Sequence, residues 1–164
     1  MGAEVEIVLG SIVEQDVEVI VNSANTSMVM GGGVAAAILA EAGPEVEEEA
    51  VQNAPVQVGD VVVTSGGRLS VKHIVHIAVV GEVEPDIYEC TRTVLDTVSD
   101  LGVRTIAMPA LGTGSAGMDP ETCARDMFHA ILDFEVEADA SLLIRIVLWD
   151  EELYPLFRRE LDRA

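Results

Sequence analysis

The run Ile74-Val75-His76-Ile77-Ala78-Val79-Val80 holds seven residues with a single polar side chain and no alternation of polar and apolar positions. A strand built this way must lose water on both faces, as strands do inside a mainly parallel sheet covered by helices on each side. This constraint limits the chain more than any other. Val71 to Val79 is predicted as the strand, and the other apolar runs fall into line with it: Val5 to Leu9, Val17 to Val21, Asp60 to Thr64, Arg104 to Met108 and Ser141 to Leu148. Between them lie helical segments at about Val34 to Ala42, Pro44 to Gln52, Glu84 to Leu101, Pro120 to Phe134 and Glu151 to Leu161. In the third of these, Ile87, Val94, Leu95, Val98 and Leu101 recur at helical spacing. Asp119 is predicted to cap the fourth, with Pro120 in its first turn. Gly66-Gly67 marks a turn between two strands. Strands that alternate with helices give an α/β fold, and 164 residues without a linker or repeat make one domain, residues 1–164.

Ligands of such sheets bind beyond the carboxyl ends of the strands, and two glycine-rich segments follow strands there. Gly31-Gly32-Gly33 opens a helix, so bare backbone and free N–H groups can approach an anion closely. Gly112-Thr113-Gly114-Ser115-Ala116-Gly117 offers the same chemistry with two hydroxyls added. It lacks the lysine of a Walker A loop and does not follow the first strand as a dinucleotide fingerprint would. Two backbone cradles in one chain suit a ligand with two phosphates held by dipoles. Asn22 and Asn25 stand where a strand ends; an Asn amide can bond sugar hydroxyls or cap a turn. Trp149, directly after the last strand, is a stacking platform for a base or an edge aromatic. His76 reads as a satisfied core histidine.

Charge narrows the partners. Asp and Glu number 29 against 9 Lys and Arg, a formal net charge of -20, and Lys72 is the single lysine. That balance disfavours general binding to nucleic acid or to anionic membranes, both of which need basic patches. It also suits a high-salt cytoplasm, where counter-ions screen self-repulsion. There is no run of 18 apolar residues and no signal-peptide pattern at the start, and Cys90 and Cys123 are too few for a disulfide framework or a four-ligand zinc site. The expectation is a cytoplasmic monomer with reduced core thiols, without metal or cofactor.

Taken together, several segments resemble the macro domain family. Leu9-Gly10-Ser11-Ile12 is similar to its first-strand Gly-Asp-Ile segment, and Ile20-Val21-Asn22-Ser23-Ala24-Asn25 to its Ile-Val-Asn-Ala-Ala-Asn motif. Gly31-Gly32-Gly33-Val34-Ala35 resembles its first phosphate loop, Val75-His76 its middle strand, and Pro109-Ala110-Leu111-Gly112-Thr113-Gly114 through Gly117 its second phosphate loop. The resemblance implies a three-layer α/β/α sandwich around a six-stranded mixed sheet, with ADP-ribose or an ADP-ribosylated protein as partner. It implies that Gly31, Gly32, Gly33 and Val34 line one side of the diphosphate. Ala110, Gly112, Thr113, Gly114, Ser115, Ala116 and Gly117 are then expected to wrap the other. Asn25 is expected at the distal ribose, as the catalytic residue if the chain is a hydrolase. Ser11, Ile12 and Trp149 are expected at the adenine. The chain departs from the pattern at three positions. Ser11 replaces an Asp that accepts from the adenine amino group, Ala116 replaces a Tyr or Phe near the distal ribose, and Ala35 replaces the Asp of one hydrolase branch. Lys72, inside a strand candidate, does not support the branch with a catalytic lysine. These departures imply looser adenine selection, a more open distal end and slow turnover or none. Another nucleotide diphosphate sugar is the alternative ligand.

Overall fold

The computed structural model describes residues 2–134, 136 and 141–164. The strands are β1 (Glu4–Leu9), β2 (Val19–Asn25), β3 (Val61–Thr64), β4 (His73–Val80), β5 (Thr105–Met108) and β6 (Leu143–Leu148). The helices are α1 (Gly33–Ala42), α2 (Pro44–Val51), α3 (Ile87–Leu101), α4 (Pro120–Asp133) and α5 (Tyr154–Arg163), with short 3-10 turns at Ile12–Glu14 and Glu151–Leu153. The sheet runs in the order β1-β6-β5-β2-β4-β3. Every pairing is parallel except that of β3 with β4. This is the six-stranded mixed sheet implied by the resemblance.

Successive side chains of a strand point to opposite faces. Val19 and Val21 therefore join one core while Ile20 between them joins the other. Ile106 and Met108 flank Ala107 in the same manner, and Ile146 and Leu148 flank Val147. The larger core is closed by α3, α4 and α5 through Val94, Leu95, Phe128 and Phe157. The other face is closed by α1 and α2 through Ile38, Ala42 and Val46. The unbroken apolar run of β4 is thus explained, since Val75 and Ile77 enter one core and Ile74 the other.

The helix ends follow their local chemistry. The Asp119 carboxylate accepts from the Thr122 backbone N–H at 3.0 Å and caps α4, with Pro120 in the first turn. Asp86 caps α3 in the same manner, so that helix starts three residues later than the periodicity suggested. Strand β2 runs through Asn22 to Asn25, beyond the apolar run, because its neighbour β4 continues alongside to Val80. Lys72 lies just before β4, not within it, and pairs with Glu18 at 2.7 Å on the surface. Cys90 and Cys123 are buried in α3 and α4, where loss of water pushes each thiol up to about 11. At neutral pH neither is a useful nucleophile.

The β3–β4 turn is fastened to the α1–α2 junction. Arg68 N–H donates to the Ala42 carbonyl at 2.9 Å. Gly67 has φ +59, and a Cβ there would stand 2.3 Å from the Ala42 carbonyl oxygen and 2.8 Å from Val46 Cγ2. Backbone conformation and close approach both require glycine. Gly67→Ala is expected to cost about 2–4 kcal/mol of unfolding free energy. A urea titration checks this: the midpoint falls with an unchanged slope, and an unmoved midpoint would show that the junction yields.

Candidate functional site

The carboxyl ends of β1, β2, β4, β5 and β6 open into one cleft of ≈ 810 Å³. That volume suits a small organic ligand. From β1 to β4 the row of strand ends spans about 19 Å, from four inter-strand spacings. β1 delivers Gly10, Ser11 and Ile12; β2 delivers Ser23, Ala24 and Asn25; β6 delivers Val147, Leu148, Trp149 and Asp150. Pro109, Ala110, Thr113, Gly114 and Ser115 follow β5, while Gly31 to Ala35 open α1 from the opposite wall.

The α1 wall is bare backbone. A Cβ on Gly31, Gly32 or Gly33 would meet nothing within 4 Å, so the space above these residues belongs to the cleft. Gly33 has φ +59, which turns the chain into the helix. The first intrahelical bond runs from Ala36 N–H to the Gly32 carbonyl at 3.3 Å. The N–H groups just before it are those a helix start leaves unpaired, and they carry the positive end of the dipole. Met30, immediately upstream, donates its N–H to the Glu47 carboxylate of α2 at 2.7 Å, which anchors the entry to the loop. On the other wall, Thr113 is folded back so that its hydroxyl donates to the Ala110 carbonyl at 3.0 Å, and Gly117 N–H donates to the Gly114 carbonyl at 2.9 Å.

Most of the residues singled out from the sequence converge. Ser11, Ile12, Asn25, Gly31, Gly32, Gly33, Val34, Ala110, Thr113, Gly114, Ser115 and Trp149 all line the cleft. Gly112, Ala116 and Gly117 are not among the lining residues. Gly112 is a packing glycine: with φ +85, a Cβ there would stand 2.6 Å from Ile87 Cδ1 and 3.2 Å from Cys123 Sγ. Ala116 is not among the lining residues, and the lining at the β2–β4 end includes Asn25, Val29 and Val80. The lining also takes in residues that the sequence reading did not assign to the site, among them Val29, Val80, Asp150 and Leu153. Asp150 could have been found as the residue directly after the aromatic. Among the described residues the lining contains no Lys or Arg, and Asp150 is its one charged residue. Among the described residues no cluster of three or more His, Cys, Asp or Glu is arranged to hold a metal.

The two asparagines of β2 have separate jobs. Asn25 is half-buried at the cleft, where its amide donates to the Val29 carbonyl at 3.2 Å and accepts from the Ser27 hydroxyl at 2.6 Å. One amide proton stays available for a ligand. Asn22 is fully buried and donates from Nδ2 to His76 Nδ1 at 3.0 Å. The Thr64 hydroxyl donates to the Ser65 carbonyl at 2.9 Å and sits 2.9 Å from His76 Nε2. The proton on His76 is therefore on Nε2, and the ring is neutral. Burial lowers its pKa to about 4, with the Glu49 carboxylate opposing. Hydrogen bonds from Ser65 hold that carboxyl below its usual range. His76 is thus a core histidine bonded at both nitrogens, tying β2 to β4 and β3.

A histidine whose folded pKa lies below its unfolded value loses stability as pH falls from the unfolded value toward the folded one. From an unfolded value near 6.5 to a folded value of about 4, unfolding takes up a proton at His76. Relative to His76→Gln, the unaltered protein is expected to lose about 2 kcal/mol between pH 7.5 and pH 5. Denaturant midpoints of both proteins across that range check it; parallel curves would show that His76 stays charged in the core.

The macro domain family model matches residues 21–127, which includes both glycine-rich walls. An uncharacterized protein of Aquifex aeolicus is 35% identical over 163 residues, covering 96% of this chain and 98% of the relative. One of Pyrobaculum aerophilum is 38% identical over 165 residues, covering 95% and 90%. Among solved structures, a mutant of the Oceanobacillus iheyensis macrodomain with ADPR superposes with a TM-score of 0.87 at 29% identity, covering 97% of this chain and 92% of that one. By sequence and by fold, the chain belongs to the macro domain family.

Proposed function

We propose that the cleft binds ADP-ribose, free or attached to a protein. The observation that carries this is the pair of glycine-bordered walls, one of them a helix start whose first N–H groups lie ahead of the first intrahelical bond, with no cationic side chain among the described lining residues. Such walls suit a diphosphate between them. The Oceanobacillus macrodomain with ADPR, at 29% identity over nearly the whole chain, supports the ligand. In this reading the adenine stacks on Trp149 at the β1–β6 end, and the diphosphate lies between the Gly31–Gly33 turn and Thr113 to Ser115. The distal ribose reaches Asn25 at the β2–β4 end. Titration calorimetry with ADP-ribose tests it: binding in the micromolar range is expected, and no binding at low or high salt would refute it.

The same reading fixes the sign of the salt effect. A phosphate site built on Lys and Arg weakens as salt rises, because ions compete for the cations. Here the ligand approaches a chain of net charge -20 and meets no cationic side chain among the described lining residues. Salt screens the long-range repulsion and leaves the short contacts intact. ADP-ribose is therefore expected to bind severalfold more tightly in molar KCl than in low salt. The melting temperature is expected to rise over the same range, in keeping with a high-salt cytoplasm. Binding that weakens with salt would point to a cation in the site.

Hydrolysis of the bond between ADP-ribose and an acidic side chain is a second activity of this cleft. Apart from Asp150, no lining side chain among the described residues can serve as a strong acid or base. Catalysis then rests on orientation by Asn25 and on the bound phosphate, and the missing general acid–base chemistry forgoes roughly 10²–10⁴ in rate. Slow release of ADP-ribose from a modified protein is expected, and Asn25→Ala is expected to abolish it. Unchanged turnover in that variant would remove Asn25 from the mechanism.

A further inference from the structure

Resting on the ADP-ribose reading, we propose that Ser27, a residue outside the cleft lining, is the positioning residue of Asn25: its hydroxyl fixes which end of the Asn25 amide meets the distal ribose. A carboxamide carries an oxygen and an NH2 group of nearly equal size, and a half-turn about its last bond exchanges acceptor for donor. An asparagine that selects a pattern of hydroxyls therefore needs neighbours that distinguish its two ends. Asn25 has them in the turn that follows β2.

Three hydrogen bonds close a ring there. Val29 N–H donates to Ser27 Oγ at 3.3 Å, the Ser27 hydroxyl donates to Asn25 Oδ1 at 2.6 Å, and Asn25 Nδ2 donates to the Val29 carbonyl at 3.2 Å. Ser27 Oγ already accepts from Val29, so its single proton is committed to Asn25. Turning the amide over would set Oδ1 against the Val29 carbonyl, two acceptors with no proton between them, and Nδ2 against the donating hydroxyl. The backbone holds the ring in shape. Met28, between Ser27 and Val29, is buried with φ +61, and its N–H donates to the Asn25 carbonyl at 3.1 Å.

The ring leaves one Nδ2 proton and one lone pair of Oδ1 for a ligand, on a residue that lines the cleft. A donor beside an acceptor matches two neighbouring hydroxyls, one accepting and one donating, as a ribose carries them. Val29 and Val80, which line the same end, have no polar side-chain atom, so they cannot make that choice. Ser27 is exposed and is not among the lining residues, so its hydroxyl acts on the ligand through Asn25. Its exposure also means that removing the hydroxyl opens no cavity in the core.

The test is calorimetric titration with ADP-ribose and with ADP, which lacks the distal ribose. It uses the unaltered protein, Ser27→Ala, Ser27→Thr, Asn25→Ala and the double variant with Ser27→Ala and Asn25→Ala. The ratio of the two dissociation constants is the readout, because a general disturbance of the cleft moves both ligands alike. Ser27→Ala is expected to shift that ratio against ADP-ribose by about three- to tenfold, with the affinity for ADP unchanged. Ser27→Thr keeps the hydroxyl and is expected to recover the unaltered ratio. With Asn25 already replaced by Ala, Ser27→Ala is expected to change the ratio no further, since the two residues act as one unit. An unchanged ratio in Ser27→Ala, a Ser27→Thr variant as impaired as Ser27→Ala, or the same loss without Asn25 would overturn the role of Ser27 while leaving ADP-ribose as ligand. Failure of the unaltered protein to bind ADP-ribose would overturn the ligand reading, and this inference with it.

Discussion

Burial of the sheet on both faces is the constraint from which the rest of the structure follows. The middle strands carry apolar side chains to each side, into one core beneath α3, α4 and α5 and another beneath α1 and α2. Parallel strands covered this way share one direction, so their carboxyl ends gather along a single edge. The cleft is the space along that edge. Its walls are the connections that leave the strands, which is why residues as distant in sequence as Ser11, Asn25, Thr113 and Trp149 meet in one place.

The chemistry of the cleft reflects the charge of the chain. With few cations available, five of them engaged in surface ion pairs, the walls rely on backbone dipoles. Glycine serves that arrangement in two distinct ways. At Gly31 to Gly33 it leaves space that a ligand can use, whereas at Gly112 and Gly67 it lets other parts of the protein approach. Only the first kind is open to a ligand, and the sequence does not distinguish them, because both appear simply as glycine after a strand or in a turn.

The buried triad of Asn22, His76 and Thr64 is a second rigid element behind the cleft. It joins three strands by side-chain bonds beneath the segment that ends in Asn25. The loop that follows is itself braced: Met28 is buried with φ +61, and Glu47 holds Met30. Asn25 and the Gly31 turn are therefore presented by a supported segment, as a site that orients its ligand requires.

Local chemistry made much of this legible in the sequence. Apolar runs with no alternation declared two-sided strands, Asp119-Pro120 declared a helix start, and the glycine segments declared where bare backbone follows a strand. These are properties of neighbouring residues. The order β1-β6-β5-β2-β4-β3 and the division of glycines between lining and packing depend instead on contacts between segments far apart. So does the position of Asp150, which is one acidic residue among 29 until β6 is laid beside β1 and it becomes, among the described residues, the one acidic residue of the lining. The sequence by itself determined the elements and the backbone chemistry of the walls, since hydrophobic periodicity and capping act within a few residues. Only the tertiary structure decided which of those groups share one cavity, because strand pairing and burial act across the whole chain.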